Sequence, residues 1–380
     1  MSFKIAVIGA GWYGCHIGLS LSALGFDIKI FERERRPLHR ASGNNQFRLH
    51  LGFHYARHHG TRQQSRDGFL RFIERYPNLS SPVDRNIYAV PKSDSLIDFT
   101  TYKMIMAASG IEFTETTEYE HFLSNVSGAI LTKERVLMIN QARDYFQESL
   151  AGILHLETAV TSMEPLDKHV RVNGELFDYV IDATWGHFLS IPRELYFEPT
   201  MLLYYEAMDH HPAVTLVDGS LCSVYPTEDP SIFTLSSVAH TPLGGFTNAN
   251  QARACINSVD SVLIREKQTA MENQMMRYLP QFCESFQFKG VQLAIKTKPV
   301  GMEDDRSCAI YRNDRIFSVL SGKIDTIFYA TERILSSLEG SQLFSTPRNV
   351  SIRNDIVAAS SRQAGARIAS SNKKNLAQDA

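Results

Sequence analysis

An α/β fold built in discontinuous pieces is what this 380-residue sequence predicts. Three observations carry the prediction. An all-apolar run from Ile5 to Ile8 leads directly into Gly9-x-Gly11-x-x-Gly14, a helical stretch from Tyr13 to Leu24, and a second strand from Asp27 to Phe31 that delivers Glu32. A further apolar strand, FDYVIDATWG, and a Ser-Gly-Lys turn running into a helix near Ile327 to Leu338 recur far down the chain. The intervening segments are rich in short strands. The chain therefore reads as a Rossmann-like dinucleotide-binding domain assembled from separated segments, with a sheet-rich α+β substrate domain inserted into it.

Each element follows from its residues. Ile5 to Ile8 lacks polar groups, as a parallel strand covered on both faces requires. Gly9 permits a tight turn, Gly11 lets the backbone approach a pyrophosphate, and Gly14 lets the helix pack closely on the strand, its N-terminus facing the phosphates. Glu32 is placed to accept hydrogen bonds from an adenosine ribose. Phe69, Phe72, Ile73 and Tyr76 recur at helical spacing and predict a helix over 62–76. Residues 86–92 predict a strand, 96–109 and 141–150 helices, and Asn173-Gly174 a hairpin after ILHLETAVTSME. Residues 195–243 read as short strands, 252–278 as one long helix, and VQLAIKTKPV and RIFSVL as strands. The expected division is 1–85 with 140–195 and 305–345 for the nucleotide domain, 86–139 with 196–304 for the substrate domain, and 346–380 as a polar tail.

Composition narrows the function. The chain is 43% hydrophobic with a net charge of −2, which offers no global attraction to nucleic acid or an anionic membrane. Charge is instead concentrated: from Arg33 to Arg75 there are ten arginines against Glu34, Asp67 and Glu74. Local positive charge points to a local anion, although a solvated basic face is the alternative for the outer arginines. Five scattered cysteines without a Cys-x-x-Cys pair indicate neither a disulfide framework nor zinc. No run approaches the roughly 18 apolar residues of a membrane span. A cytoplasmic protein with reduced thiols and a small-molecule substrate is expected, its oligomeric state open.

Four segments, in order, resemble the FAD-dependent oxidoreductases of the D-amino-acid oxidase and glycerol-3-phosphate dehydrogenase superfamily. They are KIAVIGAGWYGCHIGLSLSALGFDIKIFER, ASGNNQFRLHLGFHY, YVIDATWG and LSGKIDTIFYATERIL. The resemblance implies FAD as cofactor. It implies cofactor contacts from Gly9, Gly11, Gly14, Glu32, Arg33, Asn44, Asn45, Val160, Ala183, Thr184, Gly186, Gly322, Lys323, Ile324, Asp325 and Thr326. Two departures stand out: Ser321 replaces the first glycine of the last motif, and Lys298-Pro299 stands where Arg-Pro is frequent. The Gly-Asp motif of aromatic hydroxylases is missing near the C-terminus, which disfavours a monooxygenase.

The stretch from Gly43 to Arg62 holds four histidines and three arginines and no acid. From Arg48 onward its residues alternate, so an extended conformation would put Arg48, His50 and His54 on one face, with Gly52 leaving a gap. Beside a flavin, such a face offers donors for developing negative charge, a histidine to take a substrate proton, and an arginine fork for a carboxylate or phosphate. His50 corresponds to the histidine of the resembled motif and is the expected flavin-facing base; Arg48 and His54 are its expected partners. The alternative is that all three only satisfy backbone and FAD oxygens. His58 and His59 read as exposed loop residues, and no carboxylate or cysteine lies near enough in sequence to suggest a metal site. Tyr225, Lys298 and Arg306 are expected substrate contacts, with purely structural roles as the alternative. The function expected is oxidation of a C–OH or C–NH group of a small anionic substrate by hydride transfer to FAD. The rivals are a non-redox flavin-dependent mutase or isomerase acting on a sugar nucleotide, and a non-catalytic dinucleotide-binding protein.

Overall fold

The computed structural model describes residues 3–301 and 305–339. Two sheets organise it. The first has six strands in the order Ala309–Asn313, Ile316–Leu320, Tyr179–Asp182, β1 (Lys4–Ile8), β2 (Asp27–Phe31) and Leu154–His155. All neighbours are parallel except the first pair, a hairpin. Alternation along β1 explains its apolar sequence. Ile5 and Val7 face one core with helix α1 (Trp12–Ala23), while Ala6 and Ile8 face another under the small sheet that includes Val170–Val172. Both faces are dry over Ile5 to Ile8, so the polar residue of the strand, Lys4, is confined to its half-buried start. Helix α1 approaches β1 so closely that a Cβ on Gly14 would lie 1.8 Å from the Gly9 carbonyl oxygen.

The second sheet has eight strands in the order Phe286–Pro299, Leu195–Ala207, Ile232–Ser237, Cys222–Pro226, Ala213–Leu216, Asn86–Pro91, Val126–Leu131 and Thr114–Thr116. Its registers place Met201, Leu203, Val214, Val224 and Leu235 on one face, packed on Met271, Met275 and Phe282 of the helices behind it. The opposite face carries Tyr88, Thr215, Ser223, Tyr225, Thr234, Thr200, Gln292, Glu198 and Lys296. Most of that polar face is also buried, with Thr200, Thr215, Thr234 and Tyr225 at 0% exposure. A polar face removed from water is costly unless it meets partners, and it points toward the first sheet.

Several elements differ from expectation. The single helix over 252–278 is two, Ala249–Asn257 and Ser261–Met276, because Asp260 caps a new N-terminus by accepting from the Val262 and Leu263 amides. The helix expected from residue 62 is α2 (His59–Arg75), and His58 is its N-cap, accepting from the Thr61 amide at 3.0 Å, rather than an exposed loop residue. The tail expected over 346–380 lies outside the described residues.

Candidate active site

Parallel strands bring their carboxyl ends to one edge, so segments distant in sequence meet there. β1 leads into Gly9, β2 into Glu32, Tyr179–Asp182 into Ala183-Thr184, and Ile316–Leu320 into Ser321-Gly322. Gly9 adopts φ +94°, and the Ala183 amide donates to the Ile8 carbonyl at 2.9 Å. A Cβ on Gly11 would lie 2.8 Å from Ser42 Oγ, which accepts from the Trp12 amide. The Glu32 carboxylate accepts from the amides of Ala10 at 2.6 Å and Glu34 at 2.9 Å, which fixes it at the edge. Arg33 pairs with Glu34, Asn44 donates to the carbonyls of His39 and Arg40, and the Asn45 carbonyl accepts from Gln292. Val160 packs beside the core that contains Phe31, and Gly186 turns at φ +76°. Thr184 closes its turn by donating its amide to Asp182 and accepting from the Phe188 amide.

The last motif closes on the first. The Tyr13 hydroxyl, in the first turn of α1, lies 2.5 Å from Ser321 Oγ, 2.5 Å from the Lys323 carbonyl and 2.6 Å from Thr326 Oγ1. Ser321 therefore supplies a hydrogen bond that glycine could not, which accounts for that departure. Ile324, Asp325 and Thr326 form a 3-10 turn entering the helix Ile327–Glu339. Asp325 is fully buried, and burial pushes its carboxyl up.

β3 is only Arg48–Leu49, so the extended stretch expected from Arg48 to Tyr55 is not formed. The chain turns instead at Gly52, φ +115°, where a Cβ would lie 3.0 Å from Arg62 and Ile111. That turn, not strand alternation, sets His54 beside His50, with ring centroids 5.9 Å apart. Burial and the Lys323 and Arg48 charges hold both imidazoles well below their ordinary pKa. Lys323 Nζ lies 3.1 Å from His50 Nε2 and 4.3 Å from the Tyr55 ring centroid, and burial lowers its own pKa. Arg48 donates to the Tyr88 hydroxyl at 2.7 Å and stacks 4.0 Å from the centroid of Tyr225.

The remaining expected residues divide. Tyr225 joins the site under Arg48, with its buried hydroxyl unpartnered. Lys298 is paired with Glu198 at 2.6 Å, which neutralises much of its charge. Arg306 lies against Gly322, its Cδ 3.2 Å from where a Cβ would stand, and its amide donates to Thr61 Oγ1. Sequence reasoning missed Glu134, Tyr88 and Lys296. Glu134 sits in TKER, which reads as a surface turn; Lys296 shares its strand phase with Gln292 and Lys298, the one signal that could have found it. Burial, then the neighbouring Lys298, brings Lys296 down to about 8.

These residues fit FAD. Buried Arg36 Nε and His39 Nδ1 have no protein partner beside the edge where Gly9, Gly11 and Glu32 converge. The glycines and helix N-terminus would hold its pyrophosphate, Glu32 its ribose, and the Lys323 turn with His50 its ring system. Fold and site thus define a flavin-dependent redox enzyme. Residues 4–293 match the FAD dependent oxidoreductase family, and the chain belongs to it. It is 57% identical over 336 residues to FAD-dependent monooxygenase FPY4 of Fusarium mangiferae, covering 88% of this chain and 91% of that one. It is 25% identical over 365 residues to FAD-dependent monooxygenase kojA of Aspergillus flavus, covering 87% and 85%. Among solved structures it resembles glycine oxidase from Geobacillus kaustophilus, with TM-score 0.66 and 14% identity over 89% of this chain and 94% of that one. L-α-glycerophosphate oxidase from Mycoplasma pneumoniae, with FAD bound, matches at TM-score 0.66 and 12% identity over 88% and 93%. These likenesses establish the shared fold. FAD is the cofactor. Among the described residues no helix is long and apolar enough to cross a membrane.

Proposed function

We propose that this enzyme oxidises a C–OH or C–NH group of a small anionic substrate held between the turn at Gly52 and the polar face of the eight-stranded sheet. The observation that carries this reading is a set of buried atoms without partners on the two sides. These are Arg48 Nε and Nη2 on β3, His54 Nδ1 on the turn, and Thr215 Oγ1, Tyr225 Oη and Gln292 Oε1 on the sheet. Each unpaired group costs about 1–3 kcal/mol, so such a concentration fits a site completed by a polar ligand. When bound, FAD supplies the hydride acceptor. Neutral His50 takes the substrate proton, Arg48 offers its unused guanidinium edge to the anion, and His54 donates beside it. Tyr225, Lys298 and Arg306 line the substrate side, with Lys296 as a further cation, and the dry surroundings strengthen each interaction.

Anaerobic mixing with amino acids, 2-hydroxy acids and sugar phosphates tests the reading, since a substrate must bleach the flavin without added reductant. His50→Ala is expected to keep FAD and slow that reduction by roughly 10²–10⁴-fold. Reduction as fast as wild type would remove His50 from the role. A second reading, oxygen insertion, is supported by the relatives at 57% and 25% identity, both named as FAD-dependent monooxygenases. It requires incorporation of labelled oxygen into product; substrate-driven bleaching with no such incorporation on reoxidation excludes it.

A further inference from the structure

We propose that Glu134 is a positioning residue for His50, fixing the imidazole with its proton on Nδ1 so that Nε2 carries the lone pair that can take a proton. The inference rests on the placement of His50 in the site just described. Glu134 lies between the strands Val126–Leu131 and Arg135–Leu137 and is 0% exposed. Its Oε1 accepts from the Leu51 amide at 2.8 Å and its Oε2 from the Tyr88 hydroxyl at 2.6 Å. Arg48 donates to that same hydroxyl at 2.7 Å and lies 4.0 Å from Oε2. Burial pushes the Glu134 carboxyl up, and Arg48 and these hydrogen bonds oppose it. The carboxylate thus ties the histidine turn, through Leu51, to the polar sheet, through Tyr88.

The donor inventory then assigns the tautomer. In its ammonium form Lys323 Nζ can only donate, and His50 Nε2 at 3.1 Å then accepts. The proton of the neutral ring is left on Nδ1, which is buried without a hydrogen-bond partner and lies 3.7 Å from Glu134 Oε1. Catalytic hydrogen bonds are often this long before ligand binds and shorten in the complex. The other groups facing His50 are His54 and Tyr55, with ring centroids at 5.9 and 5.8 Å, and the cations Lys323 and Arg48. The Asp325 charge favours the charged form of Lys323. Burial, then Lys323 and Arg48, disfavours an imidazolium, and a Glu134 carboxylate 3.7 Å from Nδ1 is the negative charge that would stabilise one.

Histidine-labelled, FAD-loaded protein studied by NMR tests this without a substrate, the His50 signals being assigned by their disappearance in His50→Gln. The Lys323→Met variant removes the lysine's own influence on the tautomer. The proton is expected to stay on Nδ1 in wild type and in Lys323→Met, and to lose that preference in Lys323→Met/Glu134→Leu. Glu134→Gln, whose amide oxygen still accepts, is expected to keep the tautomer while the His50 midpoint falls by at least about one pH unit, because the charge is gone. A proton on Nε2 in Lys323→Met, or an unmoved midpoint in FAD-loaded Glu134→Gln, overturns the proposal. Should the leucine variant fail to fold, those two arms decide. Normal flavin reduction by His50→Ala alongside a Glu134-dependent tautomer would support this inference and sink the functional reading instead.

Discussion

At the scale of single residues, the site is a set of compromises between burial and charge. Arg48 is the clearest case. The sequence marks it as a candidate anion clamp, and in the fold one of its nitrogens is committed to Tyr88 and its plane to Tyr225. Arg48→Ala should therefore raise the substrate concentration needed for half-maximal flavin reduction and also cost about 3–5 kcal/mol of stability, the range for stripping a buried ion pair of one partner. Urea unfolding of the variant checks it, and an unchanged midpoint would mean that Glu134 is neutral. Glu32 was legible from the distance that separates it from the glycines. The tertiary structure adds that its carboxylate already braces the amides of Ala10 and Glu34. Glu32→Ala should weaken FAD by roughly 1.5–3 kcal/mol, as for other hydrogen bonds to a charged group. A fluorescence titration giving wild-type affinity would move the ribose contact elsewhere. Glu134 was not legible, because nothing local distinguishes an acid in a surface turn from one folded inward.

Elements add constraints that single side chains do not. Glycines mark where two of them touch: a Cβ on Gly14 would lie 1.8 Å from the Gly9 carbonyl oxygen, and one on Gly68 would lie 1.8 Å from the Asp325 carbonyl oxygen. The first contact seats α1 on the end of β1; the second seats α2 against the turn that carries Lys323. Gly14→Ala should abolish FAD binding and lower stability together. Gly68→Ala should leave the glycine motif intact and displace the Lys323 turn, so that FAD binds with an altered visible spectrum and slowed reduction. Identical behaviour of the two variants would show that α2 does not position that turn. The role of Gly14 could be read from Gly-x-Gly-x-x-Gly, whose spacing is local. The role of Gly68 could not, since its partner is 257 residues away, by the difference of 325 and 68.

For the whole molecule, burial of histidines couples stability to pH. Burial, then Arg75 and Arg71, brings His16 from 6.5 to about 3, and burial, then Arg253, brings His187 to about 4. Both groups bind a proton more readily in the unfolded chain, so each contributes stability that is present above pH 6.5 and lost as pH falls. Asp325, raised to about 6 by burial, works the other way, so a total acid slope mixes signs. The His16→Gln variant isolates one group. Relative to wild type it should gain about 2 kcal/mol between pH 7.5 and pH 5, at about 1.4 kcal/mol per pH unit below the unfolded value. Parallel urea midpoints at the two pH values would contradict a buried, neutral His16.

By itself the sequence determined the α/β class, the glycine turn, the acid at the end of β2 and FAD as the cofactor. Each of these is encoded within one strand, turn or helix, where residue type and spacing act directly on the backbone. Only the tertiary structure decided which face of the eight-stranded sheet is the polar one turned inward. It also decided that a bend at Gly52, rather than a strand, brings His54 to His50, and that Glu134, Tyr88 and Lys323 meet there. Those juxtapositions join residues from four separate stretches of chain. Their energies arise from desolvation and pairing in a shared interior, and no local pattern of residues records which distant group will share it.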